Sequence, residues 1–209
     1  MAGIMSTDAR HEKAEYFHGL AHGWDEKVGN NAGRREKLKS VFEMIMIRDG
    51  DRVLDVGCGS GVLFSFVERK TGPGGTIVAI DSAAGMIERA KELHRDLGNI
   101  EYRVGFIEDA GFQDGEFDVA LCYAVLPHID DIPRSLCVLH RALAPGGRLY
   151  IFHPDDTRTL NEFHSGLNAP VKNDVLPAEE DLRALLSDAG FEVLRYVDEP
   201  GLNFVECVK

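Results

Sequence analysis

The alternation of short apolar runs with helix-spaced segments constrains this chain more than any other feature. Arg52–Val56 is a β-branched run that leads into Gly57-Cys58-Gly59-Ser60-Gly61. Residues 62–71 then carry helical spacing and stop at Gly72-Pro73-Gly74-Gly75. The pattern recurs as a strand over 76–80 and a helix over 83–97, with Met86, Ala90, Leu93 and Leu97 facing inward. Strands follow at 100–104 and 117–122, then a helix at 132–143. Pro145-Gly146-Gly147 turns the chain into a strand at 148–152. Strands that are short and apolar on both faces, with helices between them, predict a parallel sheet covered on both sides.

The ends of the chain depart from this rule. A helix at 178–189, closed by Gly190, precedes strands at 191–197 and 202–208. The connection between them is too short for a parallel crossover, so an antiparallel hairpin is expected. At the other end, a helix over 7–20 places Tyr16, Phe17 and Leu20 on one face. A second helix, over 34–47, places Leu38, Val41, Phe42, Ile45 and Met46 at helical spacing. Residues 154–177 show no clear period, and a long irregular connection after a sheet strand is often functional.

Composition narrows the partners. A chain of 209 residues fits one domain. The longest apolar runs are far shorter than the ~20 residues that cross a bilayer, so no membrane partner is expected. Lys and Arg number 23 against 35 Asp and Glu, a net charge of −12. That charge repels phosphate backbones, so nucleic acid is not expected either. The first ten residues hold no basic segment followed by an apolar one, so no secretory signal is expected. Cys58, Cys122, Cys137 and Cys207 are scattered, without zinc spacing. The expectation is therefore no metal site, no disulfide framework and a reducing cytoplasm.

Glycines at alternate positions between a strand and a helix permit a tight turn and close approach of a ligand to free N–H groups. The dinucleotide fingerprint needs a glycine where this chain has Val62, and no phosphate-loop motif is present. Asp81 ends the next strand, where nucleotide-binding α/β folds place a ribose-binding carboxylate.

Residues 53–61, Asp81, the 117–122 strand and Leu143-Ala144-Pro145-Gly146-Gly147-Arg148-Leu149 together resemble the class I S-adenosylmethionine-dependent methyltransferases. The resemblance is nearest to the small-molecule group that includes the ubiquinone/menaquinone-biosynthesis type. It covers about residues 15–153 and implies an α/β fold. That fold is a doubly wound, Rossmann-like seven-stranded sheet, mostly parallel, with a C-terminal antiparallel hairpin. It also implies an N-terminal helical lid (1–50) ahead of a cofactor-binding region (51–209), the two making a single domain.

The resemblance implies S-adenosylmethionine as cofactor, with Gly57, Cys58, Gly59 and Gly61 against its methionine end and Asp55 near its amino group. Asp81, with Ser82 beside it, would take the ribose hydroxyls, and Met86 would lie near the adenine. Cys122 and Tyr123 would border the methyl donor, and Tyr16 and Trp24 belong to the lid. Phe106 stands where the family often has an adenine-binding Asp, so it either stacks or joins the core. In that region Ile107 with Glu108 or Asp109 would meet the adenine instead.

Methyl transfer from a sulfonium is an in-line displacement that asks the protein mainly to position two reactants. A base is needed only if the acceptor arrives protonated, and His128 and His153 are the candidates. Arg158, Asn161 and Asn168 are candidates for lining an acceptor pocket. The reading is thus an enzyme that methylates a small molecule. Its rivals are a module that binds S-adenosylmethionine without catalysis and a methyltransferase acting on protein. The sequence is silent on oligomeric state.

Overall fold

The computed structural model describes residues 7–24 and 32–209. Its centre is a seven-stranded sheet in the order β3-β2-β1-β4-β5-β7-β6. The strands are β1 (Arg52–Val56), β2 (Thr76–Asp81), β3 (Ile100–Val104), β4 (Phe117–Tyr123), β5 (Leu143–His153), β6 (Glu192–Glu199) and β7 (Leu202–Val208). Strands β1 to β5 pair in parallel. β7 lies antiparallel between β5 and β6, which bears out the expected hairpin.

Period-two alternation sends residues to two separate cores. Val53, Ile77, Val119, Leu121, Tyr150, Phe152 and Phe204 face one layer. Leu54, Val56, Val78, Ala120, Leu149, Ile151 and Val205 face the other. The first layer is covered by α2 (Ala32–Met44), α3 (Phe64–Thr71) and α4 (Ala84–Leu93), through Leu38, Phe42, Phe64, Val67, Ile87 and Ala90. The second is covered by α5 (Ile132–Ala142) and α7 (Glu179–Asp188), through Leu136, Leu139, Leu182 and Leu186. Each such side chain, taken fully out of water, contributes about 1.5–3 kcal/mol.

Several local expectations change. Met46 falls past the end of α2 and Leu93 at the last residue of α4, and both are exposed, not inward. α4 also stops short of Leu97, which is half-buried against the α2–α4 core. β3 is an edge strand whose residues are at most half-buried, so it is not apolar on both faces. β5 starts at Leu143, ahead of the Pro-Gly-Gly turn, because a register shift between Phe117 and Val119 absorbs those residues.

The stretch with no visible period contains α6 (Thr157–Ser165). Asp156 starts it, accepting from the Thr159 N–H at 3.0 Å and the Thr159 hydroxyl at 2.8 Å. Losing a cap of this kind costs about 1 kcal/mol. Asp156→Ala should therefore lower the unfolding free energy measured by urea titration by that amount; an unchanged midpoint would show that the cap holds nothing.

A last helix, α1 (Thr7–Leu20), runs into a short 3-10 turn and docks on α4. The Gly85 N–H donates to His18 Nδ1 at 2.9 Å, so a histidine from one helix satisfies a free N–H at the start of another. Ala21, Ala83 and Met86 pack beneath that contact, with Phe17 and Trp24 against them.

Candidate functional site

At the C-terminal ends of β1, β2, β4 and β5 the sheet opens into a cavity of about 390 Å³, within the range of small-molecule sites. One wall is the loop after β1. Gly57, Gly59 and Gly61 adopt φ of +62°, +54° and +85°, conformations that favour glycine. A Cβ on Gly57 would drive into the Val125 side chain, and one on Gly59 would come within 3.3 Å of the Trp24 indole nitrogen. The loop thus runs close to Trp24, just past the turn that follows α1, and beside the end of β4.

Asp81 pins this loop. Its two oxygens accept from the Gly59 N–H at 2.9 Å and the Ala83 N–H at 2.8 Å. Burial still holds its pKa above the usual carboxylate value, against the pull of those two hydrogen bonds. Asp55 is more extreme: burial first, and the nearby Asp81 charge second, push it well above that value. Its Oδ2 finds no partner among the described residues. A buried polar atom left unpaired is costly, which marks it as a place for a hydrogen-bonding guest. Burial also pushes the Cys58 thiol well up, so it is no thiolate nucleophile.

Beyond the loop, Ser82, Met86, Phe106, Ile107 and Glu108 continue the wall. Phe106 does not join the core. Its ring lies 4.4 Å under the Arg10 guanidinium, with His11 against it edge-on at 5.4 Å. Asp109 turns away to pair with Arg10 and Arg134, each at 2.9 Å. Of the two, Glu108 is the one that lines the cavity, and its Oε1 accepts from the Asp131 N–H at 3.4 Å.

The opposite wall comes from β4, β5 and α6: Tyr123, Val125, His128, His153, Leu160, Phe163 and His164. Ala124 there adopts φ +52°, a strained value for a residue with a Cβ, of the kind that collects at functional sites. His153 is 1% exposed, and neither ring nitrogen has a partner among the described residues. Burial, with the neighbouring His128 and His164, lowers its pKa to about 3. His128 Nδ1 sits 2.6 Å from Asp174 Oδ2. Asp174 Oδ1 in turn meets Lys13 of α1 at 2.7 Å, and Lys13 also reaches Asp130 at 2.7 Å.

The structure thus gathers Gly57, Cys58, Gly59, Asp81, Ser82, Met86, Ile107, Glu108, Tyr123, Trp24, His128 and His153 around one space. Asp55, Gly61, Cys122 and Tyr16 lie outside its lining. Arg158 points to solvent and Asn168 is exposed, so neither lines it. Asn161 instead ties Leu176 to α6 through two hydrogen bonds, at 3.0 and 2.8 Å. Sequence reasoning missed Arg10, Lys13, Asp130, Asp174 and Phe163. The first four meet their partners only across the fold. Among the described residues, no three His, Cys, Asp or Glu side chains are placed to hold a metal ion.

Comparison with known proteins points to one family. Residues 54–151 match a family model described as a methyltransferase domain. The chain is 30% identical to the ubiquinone/menaquinone biosynthesis C-methyltransferase UbiE of Pseudomonas putida, over 88% of this chain and 82% of that one. It is 36% identical to the nocamycin O-methyltransferase of Saccharothrix syringae, over 63% of this chain. It spans 48% of the length of that relative and 40% of another. The crystal structure of a SAM-dependent methyltransferase from Aquifex aeolicus shares the fold. Its TM-score is 0.69 at 22% identity, over 93% of this chain and 97% of that one.

Proposed function

We propose, since this chain belongs to the class I S-adenosylmethionine-dependent methyltransferases, that it methylates a small-molecule acceptor by in-line transfer. The observation that carries this reading is a single cavity with two unlike walls: a glycine loop with buried acids on one side, histidines with apolar side chains on the other.

The cofactor of the family is S-adenosylmethionine, and the residues present fit it. The unpartnered Asp55 Oδ2 and the bare 57–61 loop offer an acceptor and a backbone cradle to its amino-acid end. Asp81 keeps lone pairs for ribose hydroxyls, and Met86, Ile107, Phe106 and Glu108 surround the place left for the adenine. Gly61, Cys122 and Tyr16, which do not line the cavity, act by shaping what surrounds it. The cofactor supplies an already activated methyl group on sulfur. The protein's work is to align the acceptor and keep water out. In this reading the lid falls within residues 1–50: α1, Phe17 and Trp24 lie over the opening, α2 packs on the sheet instead, and residues 1–6 and 25–31 lie outside the described residues.

The net charge of −12 supports a small molecule over nucleic acid. Four free cysteines, three of them buried, suit a reducing cytoplasm. Among the described residues no helix is long and apolar enough to cross a membrane.

Calorimetry with the cofactor and its demethylated product tests the first half, and transfer of a labelled methyl group into low-mass products tests the second. Label that enters only protein would overturn the choice of acceptor. Asp81→Ala should weaken cofactor binding by about 1.5–3 kcal/mol, since it removes a hydrogen-bonding carboxylate. Unchanged affinity would remove Asp81 from the ribose role.

A further inference from the structure

We infer that His128 takes a proton from the acceptor and that Asp174 and Lys13 hold it for that task, so that the acceptor carries a phenol or enol O–H. This rests on the methyltransferase reading above. Asp174 is 5% exposed and accepts only. Burial alone would raise its carboxyl. Hydrogen bonds from His128 and Lys13, with the Lys13 charge, bring it below the usual carboxylate value. An ionised Asp174 at 2.6 Å fixes the proton of His128 on Nδ1 and leaves the Nε2 lone pair on a ring that lines the cavity.

Lys13 is 7% exposed and bonds both Asp130 and Asp174 at 2.7 Å. Phe17, one turn along α1, packs edge-on against the His128 ring at 5.0 Å. The helix that roofs the cavity therefore also sets the base, and docking the roof and aiming His128 are one event. His153 beside it stays neutral and has two unsatisfied nitrogens to offer the same acceptor.

This arrangement selects a class of chemistry. A neutral amine needs no base before it is methylated, and a carboxylate is already ionised. A hydroxyl arrives protonated, and only one as acidic as a phenol or enol can be ionised by an imidazole. Pro127, Ile129, Leu160 and Phe163 give that hydroxyl an apolar frame to sit against. In the step, the O–H proton moves to His128 Nε2, the oxygen pair forms the new O–C bond, and the pair of the broken C–S bond stays on sulfur.

The test uses 4-nitrocatechol, whose ionised form is coloured, and 4-nitro-1,2-phenylenediamine on the same frame. Wild-type protein loaded with the demethylated cofactor should bind 4-nitrocatechol as its anion at a pH where the free probe is neutral. With the intact cofactor it should methylate the catechol over the diamine. His128→Gln, which still donates to Asp174, should lose the anion band and about 10²–10⁴-fold of the rate while binding the cofactor normally. Lys13→Met should lose about 10–100-fold in kcat with KM little changed, and Lys13→Arg should restore both band and rate.

An anion band that survives in His128→Gln, a preference for the diamine, or a wild type that binds cofactor but neither ionises nor methylates the catechol would overturn the inference. A wild type that binds no cofactor would overturn the methyltransferase reading instead. If Lys13→Met fails to fold, Asp174→Asn serves in its place, with loss of the anion band again expected and its persistence counting against the inference.

Discussion

Gly61→Ala should destabilise the protein by about 2–5 kcal/mol, the sum of left-handed backbone strain and overpacking. Gly61 holds φ +85°. A Cβ there would enter the space of the Phe64 ring and lie 2.9 Å from His94 Cδ2. Neither neighbour can easily retreat. Phe64 is fully buried, and the His94 ring is held at 3.1 Å from the Ser60 carbonyl. Gly105 makes the control, because a Cβ there meets nothing within 4 Å and its φ is not in the left-handed region. Urea unfolding of the two variants checks this: a Gly61→Ala midpoint no lower than that of Gly105→Ala would show the loop to be softer than its contacts indicate.

His153 should make stability fall steeply in acid. Its ordinary pKa is 6.5, and in the folded protein it is about 3. Between those values the unfolded chain binds a proton that the native chain refuses. The contribution of a neutral His153 is therefore fully present above about pH 6.5 and shrinks as pH falls toward 3. The slope is about 1.4 kcal/mol per pH unit, near 5 kcal/mol in all. His140 and His164, also lowered by burial, act in the same direction. Asp55 and Asp81, raised by burial, act in the opposite one. The difference between wild type and His153→Leu isolates the group. At pH 5 it should have moved by about 2 kcal/mol relative to pH 7, in favour of the variant. Parallel stability curves would contradict a buried neutral imidazole at this position.

The central strands were legible because each is a continuous apolar run bounded by turn residues, and burial on both faces demands such a run. That logic fails at the edge. β3 carries Glu101 and Arg103, which pair at 2.7 Å, and its Val104 is left exposed. α6 escaped notice because it has only Leu160 and Phe163 as apolar markers, and Phe163 is 61% exposed beside a cavity, not buried in a core. Its start signal, Asp156 three residues before Thr159, was present in the sequence. The glycine loop and Asp81 were legible through their spacing relative to the strands. The Lys13–Asp174–His128 chain was not, since no local period links residues from α1, the turn after β4 and the loop after α6. Nor was the part played by His18 legible. Its role as the acceptor for the Gly85 N–H depends on how two helices meet.

The strand order 3-2-1-4-5-7-6 reverses direction between β1 and β4, and the cavity sits over that seam. Residues before about position 110 build one side of it, and residues after about position 120 build the other. A change in α6 or in the tip of β5 therefore leaves the bend after β1 and its pinning acid untouched. Such a scaffold can trade its clientele while keeping its currency, because the two are written in separate stretches of the chain.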